Sequence, residues 1–175
     1  MIPADVDLDD LNRQLGEDAV AFGAFVPEGK AADLEPGLLD AVAHARDTDF
    51  GALGLVILER TPPQTADMRD VAQELLMSTD LDTVIVRAPH SGAVVSDVHS
   101  RAGLEVAQYP FLGNPDVVGA AHRFVDDVNA SAASWPSATA LILLGVAGTA
   151  AFTALGARRR RRGIPKSQAF STDGV

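Results

Sequence analysis

Leu53-Gly54-Leu55-Val56-Ile57-Leu58 and Val84-Ile85-Val86 are two short, uninterrupted apolar runs rich in branched residues. Runs of this length and composition are the pattern of strands buried on both faces. Between them Met68, Val71, Ala72, Leu75 and Leu76 recur at helical spacing, so one face of a helix is apolar. Strand, helix, strand at this separation is a βαβ unit, whose strands should be parallel and whose crossover should be right-handed. Thr65 stands where a helix N-cap would, and Pro89 stops the second strand.

Working outward, Leu8, Leu11 and Leu15 form a helical stripe behind Asp5, Asp7, Asp9 and Asp10. Those carboxylates supply a cap and favourable charge at a helix start, and Gly16 is expected to end that helix. The apolar segment from Ala19 to Val26 reads as an edge strand or extended stretch. Pro36 is expected to open a second helix in its first turn, with Leu38, Leu39, Val42 and Ala45 on its buried face, ending near Asp47. Val94 and Val95 can return as an antiparallel strand after Pro89-His90-Ser91-Gly92. Periodicity leaves Arg101 to Gln108 open between helix and strand. Asp116 should cap a last helix carrying Val117, Ala120, Ala121, Phe124, Val125 and Val128. The fold class expected is α/β, a small βαβ-containing sandwich of two or three layers.

Charge divides the 175-residue chain. Residues 1–135 hold eight basic and 23 acidic side chains, a net of −15; residues 136–175 hold six basic and one acidic, a net of +5. An acidic domain lacks the basic footprint that phosphate neutralisation needs, which argues against nucleic acid as a partner. With no Cys, disulfides and thiolate zinc sites are excluded.

From Ser137 to Ala157 there are 21 consecutive residues without a charge. A helix of that length spans roughly the 30 Å hydrocarbon core. Trp135 precedes it and Arg158, Arg159, Arg160, Arg161 and Arg162 follow it, the arrangement of an aromatic anchor at one interface and a cationic anchor at the other. The expected organisation is an acidic domain over 1–130, a linker over 131–136, a transmembrane helix over 137–157 and a basic tail over 158–175. The arginine block favours a cytoplasmic tail and an extracytoplasmic domain. A tail anchor with the domain in the cytoplasm is the alternative, since Met1-Ile2-Pro3-Ala4-Asp5 carries neither a basic nor an apolar leader region. Gly145, Thr149 and Thr153 recur every fourth residue along the span, a small-residue stripe suited to homo-association.

The chemistry-bearing candidates are few. In open α/β sheets ligands bind beyond the C-terminal ends of parallel strands, which here means Glu59-Arg60-Thr61-Pro62-Pro63 and Ala88-Pro89-His90-Ser91-Gly92. The first loop has no glycine and ends in two prolines without N–H groups, so it does not suit a phosphate. Glu59 and His90 are the candidate catalytic groups, and a pocket joining them with Arg60 would mark an enzyme. Asp97, His99 and Ser100 lie too close in sequence for triad geometry, and no Gly-x-Ser-x-Gly elbow exists. His44 and His122 fall on polar helix faces. Asp5, Asp7 and Asp9 imitate the start of a calcium loop, but Asp10 and Gly16 stand where the turn glycine and the bidentate glutamate belong. They remain the candidate metal ligands, and the residues imply no cofactor.

Met1-Ile2-Pro3-Ala4-Asp5-Val6, Val56-Ile57-Leu58-Glu59-Arg60-Thr61-Pro62-Pro63, Asp82-Thr83-Val84-Ile85-Val86-Arg87-Ala88-Pro89, Arg101-Ala102-Gly103-Leu104-Glu105 and the arginine-flanked span resemble an actinobacterial family of uncharacterised single-pass membrane proteins. The resemblance implies genes beside peptidoglycan endopeptidases in mycobacteria and corynebacteria. More distantly the βαβ core is similar to the TPM domain, a membrane-tethered α/β module sometimes described as a phosphatase. Asp80-Leu81-Asp82-Thr83 replaces the glycine-rich segment that leads into its second strand. The expected function is a membrane-anchored, non-enzymatic domain making protein contacts at the cell envelope, with the lipid bilayer and envelope or membrane proteins as partners. A TPM-like metal-assisted phosphoesterase using Asp5, Asp7, Asp9 and Glu59 is the runner-up.

Overall fold

The computed structural model describes residues 1–89 and 91–131. Residues Met1–Ala132 form one compact unit. In chain order the elements are α1 (Leu8–Asp18), β1 (Val20–Phe22), α2 (Glu28–Asp47), β2 (Leu53–Ile57), α3 (Ala66–Ser78), β3 (Thr83–Ala88), β4 (Ser91–Ser96) and α4 (Arg101–Gly113). A fifth helix, α5, covers 117–131.

The four strands lie in sequence order, β1-β2-β3-β4. β1, β2 and β3 run parallel, and β4 returns antiparallel on β3 with Val84 opposite Val95 and Val86 opposite Ala93. The period of two sorts the side chains. Leu53, Leu55, Ile57, Ile85 and Val94 join α2, α4 and α5 in one core. Val56, Val84, Val86, Ala93 and Val95 join α1 and α3 in the other. The result is a three-layer α/β/α sandwich. On the first face Phe124 stacks edge-on against both Phe50 and Phe111.

The βαβ unit is present and parallel. Its handedness is less regular than expected: β1, β2 and β3 advance in one direction across the sheet while α2 and α3 cover opposite faces. The two crossovers therefore have opposite hands, and one departs from the right-handed rule.

Three helix ends also differ from the sequence reading. α1 runs past Gly16 to Asp18 and is closed by Ala19 in the left-handed region, φ 67°, whose N–H donates to the Leu15 carbonyl. Ala19 is buried, so the apolar methyl offsets part of the conformational cost of about 1 kcal/mol. α2 begins at Glu28, eight residues before Pro36. Pro36 and Ala32 are both exposed, so water can satisfy the carbonyl that the proline leaves unpaired, and the helix passes through. Thr65 is itself in helical conformation and makes no capping bond; the first turn of α3 closes instead through Asp67 N–H to Gln64 O, 3.1 Å. Asp7 does cap α1, accepting from Asp10 N–H at 3.1 Å, and Asp116 caps α5 through Gly119 N–H at 2.9 Å. Arg101 to Gln108, open in the sequence, is helix, with Ser100 as its cap.

Gly51 at φ 98° turns the chain into β2. A Cβ there would meet Asp82 Oδ2 at 2.7 Å, the same oxygen that accepts from Ala52 N–H at 2.8 Å. Glycine is required both by the dihedral and by that close approach.

Among the described residues no helix is long and apolar enough to cross a membrane. The expected span over 137–157, with Trp135, Arg158 to Arg162 and the Gly145, Thr149, Thr153 stripe, lies outside the described residues, as does His90.

Candidate functional site

The crevice at the C-terminal ends of β2 and β3 is the place where an α/β sheet of this kind receives a ligand. It is a cleft of about 210 Å³ lined by Lys30 and Leu34 from α2, Ile57 and Leu58, Arg87 to Pro89, and Pro115 and Val117 beside α5. Among the described residues the charged side chains at this end each have a partner within the domain. Glu59 Oε2 accepts from Lys30 Nζ at 2.6 Å across a solvent-exposed pair. The Arg60 guanidinium lies 3.6 Å from the Phe25 ring centroid, a cation–π contact rather than an anion clamp.

Arg87 is the residue that sequence reasoning missed. Alternation along β3 places it on the same face as Ile85, toward α4, and only 7% of it is exposed. Its Nη1 donates to the Phe111 carbonyl at 2.6 Å and its Nη2 to the Asn114 carbonyl. The guanidinium also stands 5.0 Å from the Phe111 ring. Phe111 and Asn114 lie at the C-terminal end of α4, where carbonyls lack intrahelical donors and the helix dipole is negative. A strand arginine thus caps a helix from outside it. Burial pushes the Arg87 pKa down from its ordinary value, and among the described residues no carboxylate is its hydrogen-bond or ion-pair partner. The available signal was an arginine inside the apolar run Val84-Ile85-Val86-Arg87-Ala88.

The other candidates are dispersed. Asp5, Asp7 and Asp9 are exposed, with Asp7 engaged as the α1 cap. Asp10 is bound to Arg13 at 2.6 Å and Gln14 at 2.8 Å; the Arg13 guanidinium holds its carboxyl below the usual range. Among the described residues no three His, Asp or Glu side chains gather as a metal site. The Asp97, His99, Ser100 neighbourhood is structural. His99 Nε2 meets the Phe50 carbonyl at 2.7 Å. Ser100 Oγ accepts from Gly103 N–H at 3.2 Å. Ser96 Oγ accepts from Thr83 Oγ1 at 2.8 Å and donates to the Asp82 carbonyl at 3.0 Å. His44 and His122 tie α2 to α5, His44 Nε2 to Asp126 Oδ1 at 2.8 Å and His122 Nε2 to Asp40 Oδ2 at 3.3 Å.

Fold and crevice together define a three-layer α/β domain whose strand-end crevice is lined by groups already committed to its own helices. Residues 1–169 match the family described as membrane protein Rv1476, and the chain belongs to that family. It is similar to the membrane protein Rv1476 of Mycobacterium tuberculosis (strain ATCC 25618 / H37Rv), with 30% identity over 169 residues, 96% of this chain and 85% of that protein. Among solved structures it is similar to the solution NMR structure of the N-terminal domain of the cg2496 protein from Corynebacterium glutamicum. That likeness has a TM-score of 0.49 and 14% identity, and covers 75% of this chain and 86% of the other.

Proposed function

We propose that this chain is a membrane-anchored, non-enzymatic α/β domain that makes protein contacts at the cell envelope, in the setting of cell-wall hydrolase control. The observation that carries the reading is Arg87. Among the described residues Arg87 is the buried cation beside the strand-end crevice, and it spends its donors on the α4 carbonyls, so the position where a phosphate or carboxylate substrate would be clamped serves packing instead. Glu59, the only acid at the same end that was a catalytic candidate, is neutralised by Lys30.

Membrane attachment is supported by the name of the Mycobacterium tuberculosis relative and by the charge-free stretch from Ser137 to Ala157 with its arginine block. A tether of a few residues holds the domain near the bilayer and raises its effective concentration toward membrane-bound partners. The net −15 of residues 1–135 repels anionic headgroups, so the span rather than the domain surface supplies the attachment.

Two experiments test this. The full chain in detergent should hydrolyse no generic phosphate ester with magnesium, manganese, calcium or zinc; turnover abolished by a chelator would overturn the non-enzymatic reading in favour of the phosphoesterase on Asp5, Asp7, Asp9 and Glu59. A topology reporter fused after Val175 should be active only in the cytoplasm. Activity only outside would place the domain in the cytoplasm as a tail-anchored adaptor.

A further inference from the structure

β4 is an outer strand of the sheet, and its backbone can be assigned side by side. The Arg87 carbonyl accepts from Leu58 N–H at 2.7 Å, so Arg87 turns its backbone toward the β2 side. Alternation then turns Val84, Val86 and Ala88 toward β4. Their partners Val95, Ala93 and Ser91 complete the ladder to β3. Gly92, Val94 and Ser96 therefore aim their N–H and C=O groups away from the sheet. None of these outward backbone groups has a hydrogen-bond partner among the described residues.

The strand is not blunted in the usual ways. It carries no proline and no charged side chain, and Val94 and Val95 are buried beneath α4 and α3. A groove of about 210 Å³ follows Val94, Val95 and Ser96, with Arg69 of α3 on one wall and Arg101 and Glu105 of α4 on the other. Arg101 donates to Glu105 at 2.7 Å. Arg69 is exposed and makes no ion pair among the described residues. In a region with eight basic side chains against 23 acidic ones, an uncommitted cation beside an open strand edge is specific electrostatic information.

We propose that the free edge of β4 receives an extended, carboxylate-bearing segment of a partner protein, which adds as a fifth strand and places an acidic side chain on Arg69. Main-chain bonds to Val94 and its outward neighbours supply affinity, and the arginine supplies selectivity. A second copy of this acidic domain is the less favoured occupant, because two net charges of −15 repel at close approach. The inference rests on the reading of the domain as a protein-contact module and names its surface.

The test uses the full chain in nanodiscs of neutral lipid. The probes are a synthetic eight-residue peptide alternating valine with threonine in which one central threonine is replaced by aspartate, and a control with lysine at that same position, so that the two differ by one local charge and not by a large net charge. The acidic peptide should bind at least about tenfold more tightly than the basic one, and Arg69→Glu should remove that preference. Bound peptide should slow amide exchange at Gly92, Val94 and Ser96 while leaving Ala93 and Val95, already in the ladder, unchanged. Val94→Pro removes an outward donor without touching the β3 ladder and should abolish binding; if it does not fold, Arg69→Glu decides. Equal binding of the two peptides, or no slowing at the three outward amides, overturns the proposal. Slow exchange there without peptide, together with a concentration-dependent dimer, overturns it in favour of a second copy. Failure of the peptide with membrane attachment and absence of turnover intact removes this edge and leaves the function proposed above standing.

Discussion

At the C-terminal ends of β2 and β3, Glu59 is held by Lys30, Arg60 lies on Phe25 and Arg87 is spent on two α4 carbonyls. Along β4, Gly92, Val94 and Ser96 present backbone groups without a partner among the described residues, beside an Arg69 that makes no ion pair among them. The first place is where α/β folds bind ligands; the second is where strands recruit other strands. Counting partners reverses that order of promise here. A fold-level rule says where a crevice forms, and only the hydrogen-bond accounting says whether its polar groups are available.

The comparison breaks most readily at Arg87. Arg87→Ala removes both donors to the end of α4 and should cost about 3 kcal/mol, read as a lower urea midpoint of the full chain in detergent. Arg87→Met should recover part of that loss, because a buried guanidinium without a counter-ion carries a desolvation cost that an apolar side chain avoids. A neutral Arg87→Ala would mean that the arginine is free for an external anion, and the crevice would become the better site.

Glu59→Gln tests the same end more gently. It leaves Lys30 without its charge partner at a half-exposed position, and the change in unfolding free energy should stay below about 1 kcal/mol. At the edge, Arg69→Glu should shift stability by no more than about 0.5 kcal/mol, since the side chain is exposed and makes no ion pair among the described residues. Its effect belongs in peptide binding, and a large loss of stability would show that Arg69 supports the fold instead.

The smallest effect is a pH dependence away from both places. Asp10 is held below its ordinary pKa chiefly by the hydrogen bond from Arg13. A depressed folded-state value stabilises the fold above the unfolded carboxyl value of about 3.9 and loses that contribution as pH falls through the folded one. An Arg13→Ala variant should therefore flatten the acid side of the stability profile slightly below about pH 4, measured by thermal unfolding.

Much of the architecture was legible in residues 1–131. The apolar runs at Leu53 and Val84 and the intervening Met68 to Leu76 face are local periodicities, and each became the element expected. Asp7 and Asp116 are caps because a short acidic side chain reaches N–H groups three residues on. The differences from the local expectation sit where exposure or packing overrides it. Pro36 lies inside α2 rather than opening it, because its exposed face lets the helix continue, and Ala19 rather than Gly16 closes α1, its buried methyl offsetting part of the left-handed cost.

Sequence by itself determined the strands, most of the helices and the split between an acidic domain and a charge-free stretch with a basic flank, because these depend on neighbours within a turn or two of chain. Tertiary structure alone decided that α2 and α3 cover opposite faces, that Arg87 reaches the end of α4, and that β4 is an open edge with Arg69 beside it. Those depend on residues 24 and more positions apart meeting in space, and no periodicity along the chain encodes which groups will find partners and which will be left without.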